Sequence, residues 1–121
     1  MADRILVIDD EESLRLLYTS ELSRIGYQVE SAADANEAMT MFSDGDYSLA
    51  VVDIEMPGLD GLELLGKLRE IDPSTPLVLN SAFNTYKADF KSWLADGYIV
   101  KSSDLEPLKT KIKELLVLRD K

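Results

Sequence analysis

Five side chains of this sequence combine reactive chemistry with a telling position: Asp9, Asp10, Asp53, Ser81 and Lys101. Each closes or shortly follows an apolar run, namely Ile5-Leu6-Val7-Ile8, Leu49-Ala50-Val51-Val52, Leu77-Val78-Leu79 and Tyr98-Ile99-Val100. An ionised carboxylate at the end of a buried strand is costly unless a positive or hydrogen-bonding group faces it. Three carboxylates within a few ångströms repel one another, which raises their pKa values or demands a cation. Oxygen-only ligands select a hard ion such as Mg2+, which keeps several waters and needs only about two protein carboxylates. The expected direct ligands are Asp10 and Asp53, with Asp9 holding a coordinated water and the backbone carbonyl of Glu55 completing the shell. A carboxylate beside magnesium, an amine and a hydroxyl is equipped for covalent phosphoryl transfer. Asp53 would attack in line, the metal and Lys101 would neutralise equatorial oxygens, and Ser81 would hydrogen-bond a third.

Taken singly, each residue has a plainer reading. Asp9 or Asp10 fits a helix N-cap as well as a ligand. Ser81 fits a turn, and a lone lysine such as Lys101 is usually solvated. Coincidence explains their joint placement at strand ends poorly. Tyr98 divides evenly between a functional residue and a half-buried aromatic with a wet hydroxyl. Phe83, Tyr86, Phe90 and Trp93 read as packing rather than a cofactor box. Glu63, Lys67, Arg69, Glu70 and the lysines between 109 and 113 read as solvated helix faces.

The elements that must position these residues alternate. The four unbroken apolar runs read as strands, and Tyr27-Gln28-Val29-Glu30-Ser31 alternates as a half-exposed edge strand should. Between them, Leu14, Leu17, Tyr18, Leu22 and Ile25 mark one helix face, closed by Gly26 as a C-cap. Asp34-Ala35-Asn36-Glu37 has capping-box spacing, ahead of a stripe of Ala35, Ala38, Met39 and Phe42. Asp60 or Gly61 starts a helix with Leu64, Leu65, Leu68 and Ile71 inward, which the turn Asp72-Pro73-Ser74-Thr75-Pro76 stops. A further helix is expected over residues 85–95. The last is capped by Ser103 or Asp104, tolerates Pro107 in its first turn and buries Leu105, Leu108, Ile112, Leu115 and Leu116.

Five strands alternating with five helices make an α/β, doubly wound parallel sheet, most simply in the flavodoxin-like order 2-1-3-4-5. Ligands of such sheets bind beyond the carboxyl ends of the strands, where the winding reverses between the first and third strands. Those two ends carry Asp9-Asp10 and Asp53.

Composition narrows the chemistry further. The 121 residues suit one domain over 1–121 with a core that needs neither disulfides nor structural metal. Without cysteine or histidine, a disulfide scaffold, thiolate metal sites, imidazole acid–base chemistry and Ser-His triads are excluded. A net charge of -10, from 23 acidic and 13 basic residues, argues against direct nucleic-acid binding. The N-terminal apolar run is far too short for a signal peptide or membrane span, so a cytoplasmic protein that does not enter a membrane is expected.

With these residues in place, the chain resembles a response-regulator receiver domain of two-component signal transduction along essentially its whole length. The resemblance rests on Ile5-Leu6-Val7-Ile8-Asp9-Asp10-Glu11, on Asp53-Ile54-Glu55-Met56-Pro57-Gly58-Leu59-Asp60-Gly61, on Ser81-Ala82 and on Tyr98-Ile99-Val100-Lys101. It implies that Asp53 accepts phosphate from a sensor histidine kinase or phosphotransfer protein, assisted by the acid pair and magnesium. It also implies that Ser81 and Tyr98 are a switch pair, remodelling the face of the fourth predicted helix, fifth strand and last helix toward an effector protein or a missing output domain. A phosphorylation-dependent homodimer fits the same implication. Such a domain is not an enzyme in the ordinary sense, since it assists only its own phosphorylation and dephosphorylation.

Members of that family commonly carry proline after the lysine, preceded by a cis bond, and here Ser102 stands there. A cis bond before serine costs about 2.5–4 kcal/mol, so either the loop is strained or the bond is trans and Lys101 is aimed differently. Two other functions compete. A non-phosphorylated adaptor of the same fold predicts erosion of the acid set, yet every member is present. A phosphohydrolase of the haloacid dehalogenase type resembles an Asp-x-Asp pair, but Glu55 stands two residues after Asp53 and the length leaves no room for a cap domain.

Overall fold

The computed structural model describes residues 3–53, 61–81 and 95–119. In chain order these form β1 (Arg4–Ile8), α1 (Glu12–Arg24), β2 (Gln28–Ala32), α2 (Ala35–Asp44), β3 (Leu49–Asp53), α3 (Gly61–Ile71), β4 (Leu77–Ser81), β5 (Gly97–Val100) and α4 (Glu106–Arg119). The strands are all parallel in the order β2-β1-β3-β4-β5, the expected doubly wound, flavodoxin-like sheet. The expected helix over 85–95 and the aromatics at 83, 86, 90 and 93 fall outside the described residues, Ala95 excepted. Among the described residues no helix is long and apolar enough to cross a membrane.

Strands β1, β3 and β4 are unbroken apolar runs because both of their faces are covered. On one face Leu6, Ile8, Ala50, Val52, Leu77 and Leu79 pack against Phe42 of α2 and Leu64, Leu65 and Leu68 of α3. On the other, Ile5, Val7, Leu49, Val51 and Val78 meet Tyr18 and Leu22 of α1 and Leu108, Ile112 and Leu116 of α4. The half-exposed β2 lies at one edge, as its alternation requires.

Three expected core positions are exposed instead: Leu17, Ile25 and Ile71. The buried seam of α1 runs through Leu14, Tyr18 and Leu22 at i, i+4 spacing, which turns Leu17 toward solvent. Ile25 is the C-cap residue and has left the helical conformation, while Ile71 ends α3.

The helix ends follow local chemistry. Gly26 has φ 107°, and its N–H donates to the Ser23 carbonyl while that of Tyr27 donates to Leu22, a Schellman termination. Asp34 caps α2 by accepting the Glu37 N–H at 2.8 Å. The Glu37 carboxylate returns one residue earlier than a capping box would, to the Ala33 N–H at 3.0 Å. At α4 the Asp104 carboxylate accepts the Glu106 N–H at 3.0 Å, whereas the Ser102 hydroxyl, not that of Ser103, accepts the N–H of Asp104.

Candidate functional site

The parallel register sets the site. Ile8 is level with Val52, and the Asp9 N–H continues the ladder to the Ala32 carbonyl, so Asp9 and Asp53 stand side by side at the carboxyl ends of β1 and β3. Asp53 is in turn level with Asn80. Residues level with one another in parallel strands share a sheet face. Asp9, Asp53 and Asn80 therefore extend the face built by Val7, Val51 and Val78, at the point where the winding reverses.

Asp9 is 1% and Asp53 2% exposed, and the ammonium of Lys101 answers both charges. Lys101 Nζ lies 3.2 Å from Asp9 Oδ2 and 3.2 Å from Asp53 Oδ1. Burial works against this ammonium, but the charges of Asp53 and Asp9 outweigh it, so its pKa is raised above the ordinary lysine value. Its backbone is anchored as well, the Lys101 N–H donating to the Ser81 carbonyl at 2.6 Å. Among the described residues no peptide bond is cis, so the bond to Ser102 is trans and Lys101 still reaches both acids.

Neither Asp9 nor Asp10 is the N-cap of α1, which is Glu11, with no side-chain cap bond among the described residues. Asp9 Oδ1 instead accepts the Glu11 N–H at 3.0 Å, and the Asp9 carbonyl accepts from Arg15 Nη1 at 2.8 Å. The acid is thus held on three sides. Asp9 Oδ2 is buried and, among the described residues, has no donor in hydrogen-bond geometry, despite its ionic contact with Lys101. Asp10 is exposed, and one carboxylate oxygen from each of Asp9, Asp10 and Asp53 lies within 4.8 Å of the others. An under-satisfied buried oxygen and three converging carboxylates suit a hard divalent cation. Glu55 lies outside the described residues.

Ser81 and Tyr98 fall on the opposite face. Ser81 is fully buried and shares a face of β4 with Leu77 and Leu79, and Tyr98 is level with Leu79 and packs against the same core. The structure thus joins Asp9, Asp10, Asp53 and Lys101 in one pocket and sets the serine and tyrosine behind it.

Two residues near the pocket carried no functional expectation. Asn80 is buried at the end of β4 and its Nδ2 donates to Tyr18 Oη at 2.9 Å. Burial, offset in part by that bond, raises the Tyr18 pKa, and the phenol feels the charges of Lys101, Asp9 and Asp53. The signal was an amide interrupting an apolar strand at the level of Asp53, opposite a tyrosine whose hydroxyl needs a partner once buried. Arg69, expected to be solvated, donates to the carbonyls of Pro73 and Thr75 at 3.2 and 2.9 Å and pairs with the Asp96 carboxylate. Lys109 likewise packs between α4 and α1, 3.5 Å from Glu21.

The chain is similar in sequence and fold to known proteins. A probable transcriptional regulator, ycf27, of Cyanophora paradoxa is 39% identical over 116 residues, covering 93% of this chain and 48% of the relative. The two-component response regulator PhoP of Pseudomonas aeruginosa is 33% identical over 115 residues, covering 93% and 51%. The chain thus spans about half the length of these relatives. Among solved structures, the response regulator protein TrrA of Thermotoga maritima, crystallised with Mg2+ and BeF, superposes with a TM-score of 0.90 at 42% identity, covering 93% of this chain and 98% of that one. A chain from the complex of TrrA with the histidine kinase ThkA gives a TM-score of 0.89 at 43% identity, covering 94% and 98%. The sequence model of one family, described as the response regulator receiver domain, matches residues 5–113, and this chain belongs to that family of signalling domains.

Proposed function

We propose that residues 1–121 form a receiver unit in which Asp53 accepts a phosphoryl group from a histidine of a sensor kinase or phosphotransfer protein. The observation that carries this reading is the contact of Lys101 Nζ with Asp53 Oδ1 and Asp9 Oδ2, 3.2 Å each, beside the Asp10 carboxylate. The crystallisation of TrrA with Mg2+ and BeF, and with a histidine kinase, supports it by similarity.

Asp9, Asp10 and Asp53, with the Glu55 carbonyl, would hold Mg2+. Bound there, the ion supplies positive charge against the phosphoryl oxygens. In the transfer, an Asp53 carboxylate oxygen forms a bond to phosphorus as the P–N bond to the donor histidine breaks, its electron pair leaving with the imidazole nitrogen. Lys101 places an ammonium beside the acceptor oxygens, where charge gathers. Asp9, held by the Glu11 N–H and by Arg15, keeps that ammonium in place.

Phosphorylation adds about -1.5 to -2 charge and new acceptor oxygens. Ser81 belongs to the opposite face, so drawing its hydroxyl toward the new group would move the end of β4 and open space for Tyr98 to fill. That biases a pre-existing two-state equilibrium at the surface around β5 and α4. The response passes to an effector protein or output domain, or to a homodimer, in the cytoplasm. The strong negative charge leaves direct nucleic-acid binding to such partners. The chain's own catalysis extends only to gaining and losing this phosphate.

Incubation with acetyl phosphate and Mg2+, followed by intact mass, tests the reading. It predicts a base-labile gain of one phosphoryl group, abolished by Asp53→Asn or by chelation. Undiminished labelling of Asp53→Asn would move the acceptor elsewhere.

A further inference from the structure

Two polar side chains sit inside an otherwise apolar layer at the base of the acid pocket. Asn80 Nδ2 donates to Tyr18 Oη at 2.9 Å, both residues are buried, and Tyr18 packs in the layer of Val51 and Val78. Replacing both partners of a buried hydrogen bond by apolar groups of the same shape is nearly neutral for stability. Core packing alone therefore does not account for the pair.

Its position does. Asn80 is level with Asp53 in the β3–β4 ladder, and the carbonyl of the next residue, Ser81, receives the Lys101 N–H at 2.6 Å. One hydrogen bond thus ties α1 to the stretch of β4 that flanks Asp53 and anchors the Lys101 backbone. An apolar contact tolerates sliding along the strand, whereas a hydrogen bond weakens steeply once its length or angle is lost.

We infer that Tyr18 and Asn80 are a positioning pair for the phospho-acceptor site: their buried hydrogen bond fixes the end of β4 against α1 and so sets where Lys101 stands relative to Asp53. The inference rests on the phospho-acceptor reading above. Neither residue touches the transferred group, and both act through the β4 backbone.

The test compares Tyr18→Phe, Asn80→Leu and the double variant with the parent, by thermal unfolding and by the rate of phosphorylation from acetyl phosphate in saturating Mg2+. Each single variant leaves a buried polar group with a lost partner and melts lower. The double variant recovers complementarity and melts within about 5 °C of the parent. Its phosphorylation nonetheless stays about tenfold slower, because the reacting groups are no longer held in register. A double variant with parental stability and parental rate would make the pair structural and overturn the inference. Should the double variant not fold, Tyr18→Phe decides alone at a temperature where it is folded, and a rate within about twofold of the parent overturns the inference. A parent that takes up no phosphoryl group on Asp53 removes the phospho-acceptor reading and this inference together, whereas a labelled parent matched by an equally labelled double variant removes only the latter.

Discussion

Lys101 Nζ stands 3.2 Å from Asp53 Oδ1, although the two residues are 48 positions apart and Asp53 ends β3 while Lys101 follows β5, with β4 between those strands. The same ammonium stands at an equal distance from Asp9, so a single positive charge faces two carboxylates that are almost wholly buried. Removing it leaves both acids uncompensated. Lys101→Met is expected to destabilise the fold by about 1–3 kcal/mol at neutral pH, less than a deep ion pair would lose because the Lys101 side chain is 17% exposed. Urea unfolding measures the loss, and acetyl phosphate labelling of the same variant should slow markedly.

The pH dependence of that loss has a definite sign. The folded-state pKa of Lys101 is raised above 10.5, since the charges of Asp53 and Asp9 outweigh the effect of burial. Its contribution is therefore fully present below the ordinary lysine value and fades as pH rises through the higher folded value. Urea unfolding of parent and Lys101→Met between pH 7 and 11 should give a constant gap that begins to close only in the alkaline part of the range. A gap that closes near pH 8 would contradict the placement of the ammonium.

Asp72 gives the opposite case. Its carboxylate accepts from the Thr75 hydroxyl at 2.6 Å and from the hydroxyl and N–H of Ser74 at 2.8 and 3.0 Å. These bonds hold its pKa below 3.8. The stabilisation is present above that value and is lost as pH falls through the lower, folded one. Asp72→Asn should melt below the parent at pH 6, and the difference should shrink as the solution is taken below the ordinary carboxylate range. An unchanged melting temperature at pH 6 would show that the loop does not depend on the charged form.

Arg69 joins the end of α3 to the entry of β4. It reaches the Pro73 and Thr75 carbonyls and the Asp96 carboxylate, which itself accepts the Leu77 N–H at 2.9 Å. Arg69→Met should cost about 1–3 kcal/mol in urea unfolding while leaving the Asp53 labelling rate near that of the parent, since these contacts lie at the opposite end of β4. A labelling rate that falls with stability intact would place Arg69 in the functional machinery instead.

Most of the sheet was legible because it is written in runs of one kind. β1, β3 and β4 are buried on both faces, and their apolar stretches announce it, while the alternation of β2 marks an edge. The convergence of Asp9, Asp10, Asp53 and Lys101 followed from strand order alone, because position at a strand end survives without any knowledge of side-chain contacts. Individual helix positions were harder. Leu17 and Ile25 share the spacing of the α1 seam, and only the drift of an i, i+4 row and the onset of the C-cap turn them outward. Arg69 looked solvated because its partners are backbone carbonyls and a carboxylate 27 positions away, which periodicity does not register. The Tyr18–Asn80 bond joins residues 62 apart and required the register of β4 to be seen.

The most direct measurement of the central claim is chemical trapping of the acceptor. The chain is phosphorylated with acetyl phosphate and Mg2+, reduced with borohydride, which converts an acyl phosphate into the alcohol, and digested for peptide mass mapping. Homoserine at position 53, absent when Mg2+ is chelated, is the predicted result. Homoserine at position 9 or 10 with none at 53, or a stable phosphate on a hydroxyl side chain, would contradict it.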